Sequence, residues 1–238
     1  MNGRFAGKTA LVTGGTGGLG RSVTLSFLHE GASVIATYIK KDEADALRDA
    51  VGPNAHLELL PLDATDENAC RTLVDGTVAR YGRLDILVNT IGGYTGGQAV
   101  WETDLKTYQL MLALNLHAGY NLARTVVPAM LRQKSGAIVN IAAKAAFDHA
   151  AGAAAYAASK SAALALFDCL AQDVKGKGVR VNSVLPSIID TEANRKAMPD
   201  ADFTKWPRPE EIAKVILFLC SDEARVVHGA AVSVYGES

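Results

Sequence analysis

The run Thr13-Gly14-Gly15-Thr16-Gly17-Gly18-Leu19-Gly20 constrains the chain more than any other feature. It lies between an apolar segment, residues 9–12, and a stretch where Leu19, Val23 and Phe27 recur at helical spacing. A strand that turns through glycines into a helix opens a βα unit, and the pattern repeats. Apolar runs at 33–38, 57–62, 84–89, 137–141, 179–185 and 231–234 alternate with helical stretches at about 41–51, 66–81, 104–130, 153–174 and 209–219. Seven strands alternating with six helices require crossover connections. They predict a doubly wound α/β fold, a seven-stranded parallel sheet covered by helices on both faces. Segments such as ALVT, DILVN and AIVNI are almost continuously apolar, as strands buried on both faces are.

No linker, repeat or low-complexity stretch interrupts the 238 residues, so residues 1–238 are expected to form one domain. The loosest segment, 190–209, carries Pro199 and Pro207 and is expected to form a mobile flap. Basic and acidic residues number 24 and 25, and the net charge of -1 leaves no footprint for nucleic acid or an anionic membrane. A small molecule is the expected partner. Cys70, Cys169 and Cys220 have neither metal-ligand spacing nor an even count for disulfides, so no metal is expected. With no apolar run of about 18 residues, the expected location is the cytoplasm.

Glycines between a strand and a helix let a backbone approach a pyrophosphate closely, and the helix N-terminus presents unpaired N–H groups to it. Gly14, Thr16, Gly18, Leu19 and Gly20 are therefore candidate nucleotide contacts. Dinucleotide folds usually carry an acid at the end of the second strand for the adenosine ribose. Here Tyr38 holds that position and Lys40 and Lys41 follow. This favours NADP(H) over NAD(H), because a lysine can meet a 2′-phosphate. Asp42 and Glu43 offset the lysines, and a solvated charge run is the other reading. Asp63, followed by Ala64 after the third strand, is placed for an adenine amine or is a turn residue.

Tyr156 and Lys160 share one helix face at i and i+4. An ammonium about 4 Å from a phenolate at an effective dielectric near 20 contributes roughly 4 kcal/mol. That would bring the phenol from about 10 towards 7 and fit it for proton transfer.

The glycine turn, Asp63, Asn89-Thr90-Ile91-Gly92, Asn115, Tyr156/Lys160, and Pro186 with Thr191 fall in one order and spacing. By these motifs the chain resembles the short-chain dehydrogenase/reductase family over nearly its full length. The resemblance implies that Tyr156 is the general acid/base. It implies that Lys160 binds the nicotinamide ribose and lowers the Tyr pKa, and that Asn115 holds a relay water. Asn89 and Gly92 would line the adenosine side, and Ile189 and Thr191 would fix the nicotinamide amide. The helices at 104–130 and 153–174 would form the contacts of a homo-oligomer, a dimer or tetramer.

The family usually places a Ser thirteen residues before the Tyr, and here that position is Ala143, flanked by Ala142 and Lys144. Losing such a donor costs about 10² to 10³ in rate. The dihydropteridine reductase branch lacks this Ser, and the chain resembles it in residues 92–97 (GGYTGG), 143–146 (AKAA) and 190–206, which includes NRKAMPDADF. It departs from that branch at Tyr38, where an acid is usual, and in keeping Asn89 and Asn115. Tyr94 and Trp206 would stack on a flat substrate ring or pack the flap, and Lys144 would approach a substrate oxygen or be solvated. His149 reads as a loop residue. The leading expectation is hydride transfer to an electron-poor conjugated carbonyl or imine, specifically a quinonoid dihydropterin. The alternatives are a general carbonyl or 3-oxoacyl reductase and a non-catalytic NADP(H)-binding sensor.

Overall fold

The computed structural model describes residues 3–53 and 56–238. In chain order the main elements are β1 (Thr9–Thr13), α1 (Gly18–His29), β2 (Ser33–Tyr38), α2 (Lys41–Val51), β3 (Leu57–Pro61), α3 (Glu67–Tyr81) and β4 (Ile86–Asn89). They continue with α4 (Leu105–Leu112), α5 (Ala118–Gln133), β5 (Gly136–Ile141), α6 (Ala154–Val174), β6 (Val179–Pro186), α7 (Glu192–Ala197), α8 (Pro209–Cys220) and β7 (Ala231–Val234). All strand pairings are parallel, in the order β3-β2-β1-β4-β5-β6-β7. The doubly wound sheet read from the sequence is therefore present.

Alternation along each strand divides the core. Ala10, Val12, Val34 and Ala36 face Val23 and Phe27 of α1, Leu47 of α2, and Ile212 and Ile216 of α8. Leu11, Ile35, Leu87 and Ile138 point the other way, towards Leu73 of α3, Leu122 and Val126 of α5, and Phe167 of α6. Both faces are thus covered. Strand order reverses between β1 and β4, and ligands in such sheets bind at the carboxyl ends of the strands beside that reversal.

The helix expected as one piece over 104–130 is not continuous. A π-helical turn, Ala113–His117, separates α4 from α5 and puts Asn115 on the inside, where it is buried. Such bulges widen one turn to aim a side chain and recur at functional sites. The segment 190–209 also carries more structure than its composition suggests. Thr191 caps α7 by accepting from the Asn194 N–H at 3.2 Å, and a short turn follows at Phe203–Lys205. Among the described residues, no helix is long and apolar enough to cross a membrane.

Candidate active site

The glycine turn is held by three threonines. Thr37 on β2 accepts from Gly14 N–H through its hydroxyl at 3.1 Å and from Gly15 N–H through its carbonyl at 2.9 Å. The Thr24 hydroxyl donates to the Gly15 carbonyl at 3.0 Å and the Thr90 hydroxyl to the Thr13 carbonyl at 2.7 Å. Gly14 has a φ of 69°, which side-chain-bearing residues seldom adopt. A Cβ on Gly20 would collide with the Gly14 carbonyl oxygen. Helix α1 begins at Gly18 behind an extended Gly17, with no side-chain cap and no acidic residue in its first turn. Its first N–H groups and its dipole therefore face the groove uncompensated, which fits a pyrophosphate. Leu19 lies buried at the start of this helix, and Thr191 reaches across, its Cγ2 2.7 Å from where a Gly18 Cβ would stand.

At the adenosine end, half-buried Tyr38 pairs with Pro61 and packs on the α1 side of the core. Lys40 and Lys41 are each engaged by an acid, Lys40 with Glu43 at 3.0 Å and Lys41 with Asp45. The second Glu43 oxygen accepts from the Thr16 hydroxyl at 3.2 Å. One Asp63 oxygen caps a turn by accepting from Thr65 N–H at 2.9 Å and the Thr65 hydroxyl at 2.6 Å, which holds the carboxyl below its usual range. The Ala64 carbonyl accepts from the Asn121 amide. Asn89, expected to line the adenosine side, is only 1% exposed. Its amide donates to Asn140 at 3.0 Å and its oxygen accepts from the Thr13 hydroxyl at 3.0 Å, so it ties β4 to β5 and β1 inside the sheet.

Tyr156 and Lys160 stand one turn apart on α6. Lys160 is buried and its ammonium donates to the Ile141 carbonyl at 2.9 Å; burial pushes its pKa down to about 8. Burial, and secondarily Tyr94, pushes the Tyr156 phenol up to about 12. The expectation of a phenol lowered towards 7 is therefore corrected, because the ammonium is directed at β5 and desolvation acts on both groups. Asn115 accepts from Gly93 N–H at 3.0 Å and donates to the Gly93 carbonyl and the Ser159 hydroxyl, each at 3.0 Å. Ser159 in turn donates to the Tyr156 carbonyl at 2.7 Å. The π-helical turn thus clamps the β4–α4 loop onto α6. A Cβ on Gly92 would fall 2.8 Å from the Asn115 oxygen and 3.0 Å from the Lys160 nitrogen, so a larger residue there would displace those side chains.

On the outer side of this pair, the Tyr94 ring meets Tyr156 edge-on at 5.0 Å between centroids and is 66% exposed. Ala143 is 7% exposed and precedes the single turn Lys144–Ala146, so a methyl group stands at the position of the usual Ser. Lys144 lies 3.7 Å from Asp148 and 5.4 Å above the Tyr235 ring, which occupies its ammonium with protein partners. Trp206 is 6% exposed and packs on Phe203 at 5.0 Å, so stacking on a substrate is corrected to anchoring the 190–209 segment. Pro186 ends β6, opposite Val234 of β7. The Ile189 carbonyl accepts from the Asn194 amide at 2.8 Å, and Asp190 pairs with Arg195, so the root of the flap is tied to α7. His149 is exposed in the loop before α6.

Thr37, Ser159 and Asn140 were not singled out in the sequence. The available signal was a polar residue inside an apolar strand or on the buried face of a helix, where a hydroxyl or amide needs a partner.

The sequence profile described as short chain dehydrogenase matches residues 8–202. A 3-oxoacyl-[acyl-carrier-protein] reductase of Thermotoga maritima is 34% identical over 242 residues, covering 98% of this chain and 98% of that one. The 7alpha-hydroxysteroid dehydrogenase of Escherichia coli is 31% identical, covering 98% of this chain and 94% of that protein. A solved structure of a putative short-chain dehydrogenase/reductase from Burkholderia xenovorans superposes with a TM-score of 0.88 at 36% identity, over 98% of this chain and 97% of that one. A structure of ElxO with NADP bound superposes with a TM-score of 0.88 at 26% identity, over 96% and 97%.

Proposed function

Because the chain belongs to the short-chain dehydrogenase/reductase family and is an NAD(P)-dependent oxidoreductase, we propose that it reduces an electron-poor, conjugated carbonyl or imine. The reduced nicotinamide supplies the hydride. Gly14, Thr16, Gly18, Leu19 and Gly20 hold the coenzyme's pyrophosphate side, with Asp63 and Ala64 at the adenine and Ile189 and Thr191 at the amide. Tyr156 gives the proton through its Oη. With its pKa raised to about 12 the phenol stays protonated across the working range, which suits a donor rather than a base. Lys160 carries its charge below about pH 8 and, held by the Ile141 carbonyl, would bind the nicotinamide ribose. Asn115 is a positioning residue, since it fixes the Gly92-Gly93 turn against α6.

The observation that carries the substrate class is Ala143. A buried methyl donates no hydrogen bond to a developing oxyanion, and the lost donor costs about 10² to 10³ in rate. An electron-poor acceptor loses least by its absence, because its ground state already favours hydride. The exposed Tyr94 ring suits a flat substrate. A quinonoid dihydropterin is one such molecule and belongs in the test. The second reading, a general carbonyl or 3-oxoacyl reductase, is favoured by the names of the curated relatives. The non-catalytic sensor has no such support.

The proposal takes residues 1–238 as one domain acting in the cytoplasm as a dimer or tetramer, with 190–209 as the substrate flap and Lys40 and Lys41 favouring NADPH. Oxidation of NADPH and NADH should be followed over quinonoid dihydropterin, quinones, aliphatic ketones and 3-oxoacyl thioesters. Turnover concentrated on the electron-poor members supports the reading, and turnover confined to 3-oxoacyl thioesters supports the second.

A further inference from the structure

A recess lies at the end of the sheet opposite Tyr156 and Lys160, where β1, β4, β5 and β6 begin. Its volume of about 400 Å³ falls in the range of small-molecule sites. The six residues of β5 hold it roughly 20 Å from the groove at the carboxyl ends. Buried Phe5 and Ile86 give it an apolar lining. Its charges do not cancel, because Arg4, Lys8, Arg180 and Arg225 line it against two carboxylates, Asp85 and Asp222. Asp85 is already answered, accepting from the Thr9 N–H at 2.9 Å and pairing with the Arg83 guanidinium. Arg4 is answered likewise, by Glu30 at 3.0 Å and Glu223 at 3.6 Å. Lys8 stands 4.0 Å from Asp85, at the limit of an ion pair. Arg180 is half-buried, and its guanidinium donates to the Leu219 and Ser221 carbonyls at 2.6 and 3.0 Å. Among the described residues neither Arg180 nor exposed Arg225 pairs with an acid, so Asp222 is left opposing three cations.

We propose that this recess binds a small dianion, a phosphate monoester or a dicarboxylate on an apolar or ring body, with Lys8, Arg180 and Arg225 as its cations. A partly buried guanidinium without a counter-charge has paid part of its desolvation already, and an arriving anion recovers it. The two carbonyls take one donor from each terminal nitrogen of Arg180, and the fork keeps others for an oxyanion. Phe5 and Ile86 receive the uncharged body of the ligand. Around the mouth, Lys134, Lys175 and Lys177 adjoin the lining residues Ser135, Gly176 and Gly178. They are exposed and make no ion pair among the described residues, with Asp173 the nearby acid in sequence, so they extend the positive field that draws an anion in. None of these groups takes part in the proposed reduction, so the recess is a site separate from it.

The test titrates the full chain by isothermal calorimetry with phenyl phosphate, phthalate and, as the monoanion, benzoate. Each titration is repeated with excess NADPH, because the glycine turn itself attracts phosphate. Phenyl phosphate or phthalate should bind saturably at one site, with NADPH present or absent, and at least about tenfold more tightly than benzoate. The tighter of the two dianions tells whether the ligand class is the phosphate monoester or the dicarboxylate. Arg225→Gln and Lys8→Gln should each weaken that binding about tenfold, the loss of one charge-assisted hydrogen bond. Circular dichroism confirms that both substitutions leave the fold intact. No saturable binding of either dianion, benzoate binding as tightly, displacement by NADPH, or affinity unchanged in both variants overturns the proposal.

Discussion

Replacing Lys160 by methionine should change how stability depends on pH. In the folded chain burial holds the Lys160 pKa at about 8 against 10.5 for a free lysine. The unfolded chain therefore binds more protons between those values, and wild-type stability rises with pH across that window. The difference of about 2.5 units corresponds to about 3 kcal/mol. That full penalty acts below pH 8, where the ammonium is charged in both states, and is relieved as pH rises towards 10.5. Methionine has no charge and similar volume, so the variant lacks the dependence. It also leaves the Ile141 carbonyl without the bond it accepts at 2.9 Å, a cost of about 1–3 kcal/mol that does not vary with pH. Urea unfolding, followed by the fluorescence of Trp101 and Trp206, should show the stability of Lys160→Met relative to wild type falling by about 3 kcal/mol between pH 7 and 10.5. A difference that stays flat over this range would refute a desolvated ammonium at Lys160 and the argument that burial sets its charge.

Three other substitutions probe the site. Tyr156→Phe should lower reduction about 10²- to 10⁴-fold while leaving coenzyme affinity within about twofold, as stopped-flow turnover and fluorescence titration will read. Gly18→Ala sets a methyl 2.7 Å from the Thr191 Cγ2 and should weaken coenzyme binding by displacing the root of the flap; adding Thr191→Ser removes that methyl, keeps the α7 cap and should restore binding, a non-additive pair in titration.

Much of the fold was legible because a parallel sheet leaves a strong mark. Leu11 and Val12, or Ile86, Leu87 and Val88, are buried on both faces and so read as continuous apolar runs. Glycine at positions 14 and 20 follows from a φ and a contact that a Cβ forbids, and this necessity is visible in the sequence itself. The break in the 104–130 helix was not legible, because Met111, Leu114 and Ala118 continue helical spacing through it. Within the break Asn115 answers the N–H and the carbonyl of the distant Gly93 together, a pairing that helical spacing does not reveal. The ionisation of Tyr156 was misjudged for a similar reason. Spacing on a helix shows that Lys160 shares its face but not that the ammonium turns to Ile141 on a separate strand. Trp206 and Asn89 carried plausible ligand roles in sequence, and only burial distinguishes an anchoring ring or an inter-strand amide from a binding group.

The missing hydroxyl at position 143 bears most directly on what the enzyme reduces. The decisive measurement is kcat/KM of wild type and Ala143→Ser, side by side, on an unactivated aliphatic ketone and on an electron-poor conjugated carbonyl. Ser at that site should raise the ketone value about 10²-fold and leave the activated substrate within about threefold. An equal gain on both substrates, or no gain on the ketone, would contradict the claim that the absent donor selects the substrate.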